Sequence, residues 1–434
     1  MTAVRAEPGL GQALQVCALI GTAQMTWGVV VPVLPILVDD LHIPVVLLGT
    51  IIAAFAVGRV IANVPAGLAL RRIPARPFVL AVLIGLAGVT AGTGLVADVA
   101  WLIGLRLVAG LLAGAAITLG FAVLFAGAPP GRRGRVISLA TIVQMGAAAV
   151  GSLLGGVAVT LGGVSTAFFA AAVPVLVAVV VDLVRPADGY WRALSTPAAH
   201  EDADAATADA DADAATVGGS GAAGSGAADL TSTRTAGARG SVSSRGRARP
   251  RGSTTLVTLA IVSFALFFAR FAGEQGLIPV IAYEAGGLTP LTLGVAFALG
   301  TLVSAAALGI VGRWVDAGGR RAVVVLSALG VVAATLGFAV LDSPLWFGAA
   351  IVLYAVATSL ANVVPSVVTA ESFPGRSAGA AVGVTRTTGD LGAAVGPLAV
   401  FALVDLAGPG AGLALLAAVP ALALLLLLPR LSRP

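Results

Sequence analysis

The chain has 434 residues, of which 58% are hydrophobic and only 10% charged, where soluble domains carry about 25% charged side chains. With a mean hydropathy of +1.03, this excludes an ordinary soluble domain and defines an integral membrane protein. The net charge of +5 comes entirely from arginine, and outside one linker those arginines sit in short loops between apolar runs, which argues against a nucleic-acid partner.

In chain order, Met1 to Pro8 is polar and has no small-residue cleavage pattern after the first apolar run, so that run is read as a retained helix. Six apolar runs follow, Leu14–Val38, Val45–Leu70, Phe78–Val96, Trp101–Ala126, Val136–Leu161 and Thr166–Leu183, each near the roughly 20 residues that cross a bilayer. Residues 186–253 then break the pattern with small side chains, an acidic run from Glu201 to Asp213 and a basic one from Arg245 to Arg251. This composition cannot bury enough apolar surface to offset chain entropy and predicts a disordered linker. Six more runs complete the chain: Leu256–Tyr283, Leu291–Gly312, Ala322–Leu341, Leu345–Thr369, Ala378–Leu406 and Gly412–Leu428. The predicted fold is all-α, with twelve transmembrane helices in two six-helix repeats: residues 1–185, the linker 186–253, and residues 254–434.

Loop charge predicts the orientation. Arg71, Arg72, Arg76, Arg132, Arg133, Arg135, Arg313, Arg320, Arg321, Arg376, Arg430 and Arg433 all fall on the side that holds the termini and the linker. The opposite loops carry Asp39, Asp40, Asp98, Glu284, Asp342 and Asp405 and no arginine. By the positive-inside rule the termini and linker are cytoplasmic, and the expected location is the plasma membrane. Asp182, at the end of the sixth run, is read as interfacial.

The two halves read as copies. Gly67 and Gly312, Arg76 and Arg321, and Gly151 and Gly396 are each 245 residues apart. Gly67 and Gly312 are each expected to open a loop after the second helix of their half. Parallel repeats of this kind place a binding site near the bilayer midplane, between the halves.

The motifs carry a family resemblance. GRWVDAGGRR, with Gly312, Asp316, Gly319, Arg320 and Arg321, resembles the loop signature of the major facilitator superfamily. The first-half copy from Gly67 is degenerate, with Arg71 where an aspartate is expected and Pro74 where a glycine is expected. Arg106 with Gly110 and Gly114 resembles the fourth-helix signature. GSLLGG, which includes Gly151, Gly155 and Gly156, and GAAVGP, from Gly392 through Gly396 to Pro397, resemble the antiporter motif, with Ser152 in place of proline in the first. The resemblance implies a secondary transporter working by alternating access. It also links Arg106 to proton coupling and makes the loops gates that latch the two halves. With Arg71 reversing the expected charge, Glu371 in the other half is a candidate partner for it. The glycines are expected to let helices approach backbone to backbone, and Pro397 to supply a bend.

An ionisable group at the centre of a membrane helix costs at least about 2.5–3.5 kcal/mol, so it faces a partner or a wet cavity. Arg59, Arg106, Arg270, Glu274, Arg386 and Asp390 are such groups. Arg270 with Glu274, and Arg386 with Asp390, are spaced i to i+4 and share a helix face. Each pair is either a permanent packing device or a proton site that opens and closes with the cavity. Gln24, Trp27, Arg59, Asn63 and Phe271 are candidates for lining the cavity.

The expected function is proton-coupled export of small, largely apolar organic compounds. Two alternatives stay open: an uptake symporter for a small organic anion, favoured by the excess of buried arginine, and a non-transporting receptor or scaffold that works through its linker. One cysteine, Cys17, and two histidines, His42 and His200, make no metal-ligand cluster and no nucleophile–base pair. No enzymatic activity, cofactor or metal is expected. The expected partners are a small molecule, protons and the bilayer, and the expected state is a monomer.

Overall fold

Inside a bilayer no water satisfies backbone amides, so apolar runs close their hydrogen bonds internally as helices. The computed structural model describes residues 10–70, 72–128, 133–194, 251–373 and 376–431, and every regular element there is helical. The first half consists of α1 (Leu10–Asp40), α2 (Val45–Ala69), α3 (Ala75–Thr93), α4 (Val99–Gly127), α5 (Arg133–Val184) and a short α6 (Asp188–Ala193). The second half begins with α7 (Arg251–Ala269), a π-helical stretch Arg270–Leu277 and α8 (Ile278–Glu284), which run end to end. It continues through α9 (Pro290–Trp314), a π-turn Val315–Gly319, α10 (Arg320–Val340), α11 (Pro344–Ala361), α12 (Val363–Ser372), α13 (Arg376–Ala407) and α14 (Pro409–Leu427).

Ten segments are long and apolar enough to cross a membrane. Two of them, Ser138–Val184 with 47 residues and Pro290–Val340 with 51, are each more than twice the roughly 20 residues of one crossing. Each is broken at one glycine, Gly163 at φ 81° and Gly318 at φ 94°, in the backbone region that glycine enters without a Cβ clash. The second break falls inside the expected loop, but that loop does not open at Gly312, because α9 continues through it to Trp314. Gly67 likewise lies within α2 instead of opening a loop.

Within the first half α1 runs along α5 and α2 along α4; within the second, α7 runs along α13 and α11 packs between α9 and α10. The halves meet where α9 lies on α5 and α13 lies on α2. Small residues set the close approach. A Cβ on Gly156 would strike the Pro290 carbonyl, one on Gly294 the Ser152 carbonyl, and one on Gly49 would stand 2.6 Å from the Pro397 carbonyl. All three lie within seven residues of the helix ends away from the chain termini, so the halves are closed against each other at that end. Of the expected packing glycines Gly156 thus acts between the halves, and the others inside each half: Gly151 and Gly155 sit on the Met25 and Val29 carbonyls, and Gly392 and Gly396 on those of Phe264 and Phe268.

The stretch expected to be linker begins as folded chain. In α6 Tyr190 fills the space left by Gly127, and Trp191 is buried with its Nε1 donating to Asp182 Oδ1 at 3.1 Å. The expected boundary at 186 therefore moves beyond Leu194; residues 195–250, on which the disorder reading falls, lie outside the described residues. Asp182, read as interfacial, is completely buried within the protein at this helix end. It pairs with Arg76 Nε at 2.9 Å and accepts from Gln15 Nε2 at 2.9 Å. Trp191, Gln15 and the base of α3 close over a carboxylate that a linear reading places at a helix end.

Candidate functional site

Between the halves, on the terminus side of the glycine contacts, lies a cavity of about 50 Å³ walled by Gln24 (α1), Gln144 (α5), Arg270 and Glu274 (the π-helical stretch), Ser304 (α9) and Thr358 (α11). At about 10–15 Å³ per water it holds a few waters, far from the 300–1,000 Å³ that receives a drug-sized ligand. A smaller pocket sharing Gln24, Gln144 and Arg270 extends it toward Trp27, Arg59 and Phe271. Of the five expected lining residues, Gln24, Trp27, Arg59 and Phe271 are therefore brought together.

Asn63 is not on this wall. Its Nδ2 donates to Asp390 Oδ2 across the halves at 3.2 Å, and its Oδ1 accepts from Thr118 at 3.4 Å. Arg386 Nε stands 3.8 Å from the same Asp390 oxygen, with both side chains 6% exposed. Asp390 is thus held by both halves, and Arg59 feels its charge together with those of Arg386 and Arg270.

An aromatic row joins the halves beside the cavity. Trp27 lies 4.5 Å from Phe55 and 4.8 Å from Phe271, centroid to centroid. A guanidinium closes each end: Arg106 at 4.6 Å over Phe55 and Arg59 at 6.0 Å over Phe271. Ring faces attract cations, which offsets part of the cost of keeping them from water. Arg106 is 3% exposed, so it does not reach for an interface.

Donors outnumber acceptors here. Among the described residues, Arg59 Nε, Gln144 Nε2 and Arg106 Nε and Nη2 are buried with no hydrogen-bond partner. Gln144 is 2% exposed and lines both pockets. Glu274 does have partners: Arg270 Nε at 3.6 Å and the Thr358 hydroxyl, which donates to its Oε1 at 3.0 Å. Gln144 was not singled out from the sequence. A glutamine in an apolar helix is a weak signal until its neighbours are known to leave its amide unsatisfied.

The expected gate residues divide. Arg320 grips Glu371 with both terminal nitrogens at 2.6 Å, which holds the Glu371 carboxyl below its ordinary range. Glu371 is thus held by a cation of its own half, whose α10 brings Arg320 alongside α12; the expected pairing with Arg71 falls on a residue outside the described ones. Asp316 is exposed, and Arg321 donates to the Leu431 carbonyl at 3.0 Å, tying α10 to the chain's end.

Comparison with known proteins bears on the fold and the family. No curated protein matches the chain. Among solved structures, the human organic anion transporter MFSD10 (TETRAN) shares the fold, with TM-score 0.61 and 19% identity over 96% of this chain and 98% of that one. The family profile described as Major Facilitator Superfamily matches residues 16–269 and again 259–434. The chain belongs to the major facilitator superfamily, a family of multi-pass membrane transporters and not of enzymes.

Proposed function

We propose that the protein is a secondary transporter, working by alternating access, whose substrate is a small organic anion with an aromatic or apolar body. The observation that carries this is the surplus of donors at the central cavity and its extension: Arg59 Nε and Gln144 Nε2 are buried without acceptors, and Arg270 lines both volumes, against Glu274 as the one carboxylate on their walls. Unsatisfied buried donors cost about 1–3 kcal/mol each, and a carboxylate, sulfonate or phosphate supplies the missing acceptors. Trp27 and Phe271 give the rest of such a molecule a ring face. The polar lining weighs against the largely apolar substrate expected from the sequence and moves the anion reading ahead of it. The similar solved structure, a human organic anion transporter, is consistent with that choice.

Reading each long broken segment as two crossings gives twelve spans, and the arginine-rich loops support cytoplasmic termini, with the plasma membrane as the proposed location. In this reading the central cavity, too small for a drug-sized ligand as it stands, widens to admit substrate. Ligand-induced thermal stabilisation tests the substrate class with matched probes: benzenesulfonate, neutral benzenesulfonamide and the lipophilic cation tetraphenylphosphonium. At about 100 times its Kd a ligand stabilises by about 2.7 kcal/mol. Only the sulfonate should raise Tm, and Arg59→Gln should abolish the rise; stabilisation by the cation alone would sink the reading.

A further inference from the structure

Arg270 and Glu274 meet in a setting that a permanent ion pair does not require. Their closest approach, Nε to Oε2, is 3.6 Å, beyond hydrogen-bond range, and the side chains keep 23% and 19% of their surfaces exposed on the cavity wall. The backbone that carries them is π-helical from Arg270 to Leu277, a wider turn that changes how i and i+4 side chains meet. Glu274 spends its other oxygen on Thr358. The result is a loosely paired cation and carboxylate, both facing the volume where Arg59 and Gln144 lack acceptors.

Resting on the anion reading above, we propose that Arg270 exchanges between two acceptors, the Glu274 carboxylate and the substrate anion, so that proton uptake by Glu274 and anion uptake by the cavity are linked. With Glu274 ionised, its charge holds Arg270 and repels an incoming anion. A proton taken from the aqueous side onto a Glu274 carboxyl oxygen removes that charge, and Arg270 turns to the anion beside Arg59 and Gln144. Proton and monoanion then cross together with no net charge. This coupling is symport and electroneutral, the opposite of antiport, in which a cationic substrate and the proton compete for one carboxylate.

The groups around Glu274 leave this exchange to Arg270. Thr358 reaches it from α11, where the Tyr354 hydroxyl is committed to the Ala269 carbonyl. Helix α2 brings Arg59 to the same segment, and α13 brings Arg386 and Asp390. Helices α1 and α8 carry their acids, Asp39, Asp40 and Glu284, at the end away from the termini; α7 has Arg251 at the other end, and α14 has no charged side chain. Asp390, already bound by Asn63 and Arg386, serves as a fastener between the halves and not as the exchanging acid.

The test is calorimetric titration of the purified full-length protein with benzenesulfonate, which stays anionic throughout, at a series of pH values and in buffers of different ionisation heat. The wild type should take up one proton per anion bound, with Kd falling about tenfold per pH unit of acidification across the linked range. Glu274→Gln, which mimics the protonated side chain, should bind at the tight limit at every pH, while Asp390→Asn should keep the slope. Anion binding by the wild type without proton uptake overturns the exchange and leaves the anion site standing. An unchanged slope in Glu274→Gln does the same. No binding of sulfonate by the wild type at any pH overturns the anion reading and this inference with it.

Discussion

Paired substitution Gly156→Ala and Gly294→Ala should open the end of the molecule away from the termini. Each added methyl would stand against a backbone carbonyl, Pro290 for one and Ser152 for the other, well inside the 3.4–4 Å of ordinary contact. A carbonyl in a helix cannot rotate away, so α5 and α9 must separate by about 1 Å, and overpacking of this kind costs about 1–3 kcal/mol. About 1.4 kcal/mol is a tenfold change in an equilibrium. The ratio of closed to open forms at that end should therefore fall by about tenfold or more. Spin labels on Leu95 and Asp342, in loops of the two halves at that end, report the change by pulsed electron resonance, and Cys17, completely buried, adds little background. The expected result is a new, longer distance in the double variant. An unchanged distance distribution would refute the claim that these backbone contacts hold the end shut.

Further expectations follow from the charge clusters. Asp182→Asn removes a fully buried acceptor from Arg76, whose side chain is 32% exposed, so the loss should sit at the low end for a broken buried pair, about 3 kcal/mol. A lowered Tm and faster proteolysis at Arg192 in α6 would register it; an unchanged Tm would mean that the cluster holds nothing. Glu371→Gln should cost less than about 1 kcal/mol, because the pair with Arg320 is largely exposed. Since Arg320 depresses the folded carboxyl, the contribution is complete above the range of the unfolded carboxyl and fades as pH falls through the folded value. Melting curves of variant and wild type should accordingly converge in acid; a gap that widens there would contradict the sign. Phe55→Leu takes the ring face from buried Arg106 and should lower stability by about 1–2 kcal/mol, measured by thermal melting.

Much of the architecture was legible in the chain because membrane helices declare themselves by length and apolarity. The breaks at Gly163 and Gly318 fall between expected runs, and the paired glycines do sit on neighbouring backbones. The site was legible only in its charges. Arg270 and Glu274 are four residues apart and share a face by helical period, whereas Asn63 and Asp390 are 327 residues apart, and their meeting depends on how α2 and α13 rotate about their axes. No local pattern encodes that rotation. The same limit hid Gln144, whose significance lies in what its neighbours fail to supply, and Asp182, whose partner Trp191 belongs to a segment that composition assigns to the linker.

The central claim, secondary transport of an organic anion through the cavity at Arg59 and Arg270, is tested most directly by counterflow in proteoliposomes. Vesicles holding purified protein are preloaded with unlabelled benzenesulfonate and diluted into labelled benzenesulfonate without ATP. Transient accumulation of label above equilibrium is expected in the wild type, with none for benzenesulfonamide and none in Arg59→Gln. Accumulation that persists unchanged in Arg59→Gln, or that occurs only with a cation, would contradict the account.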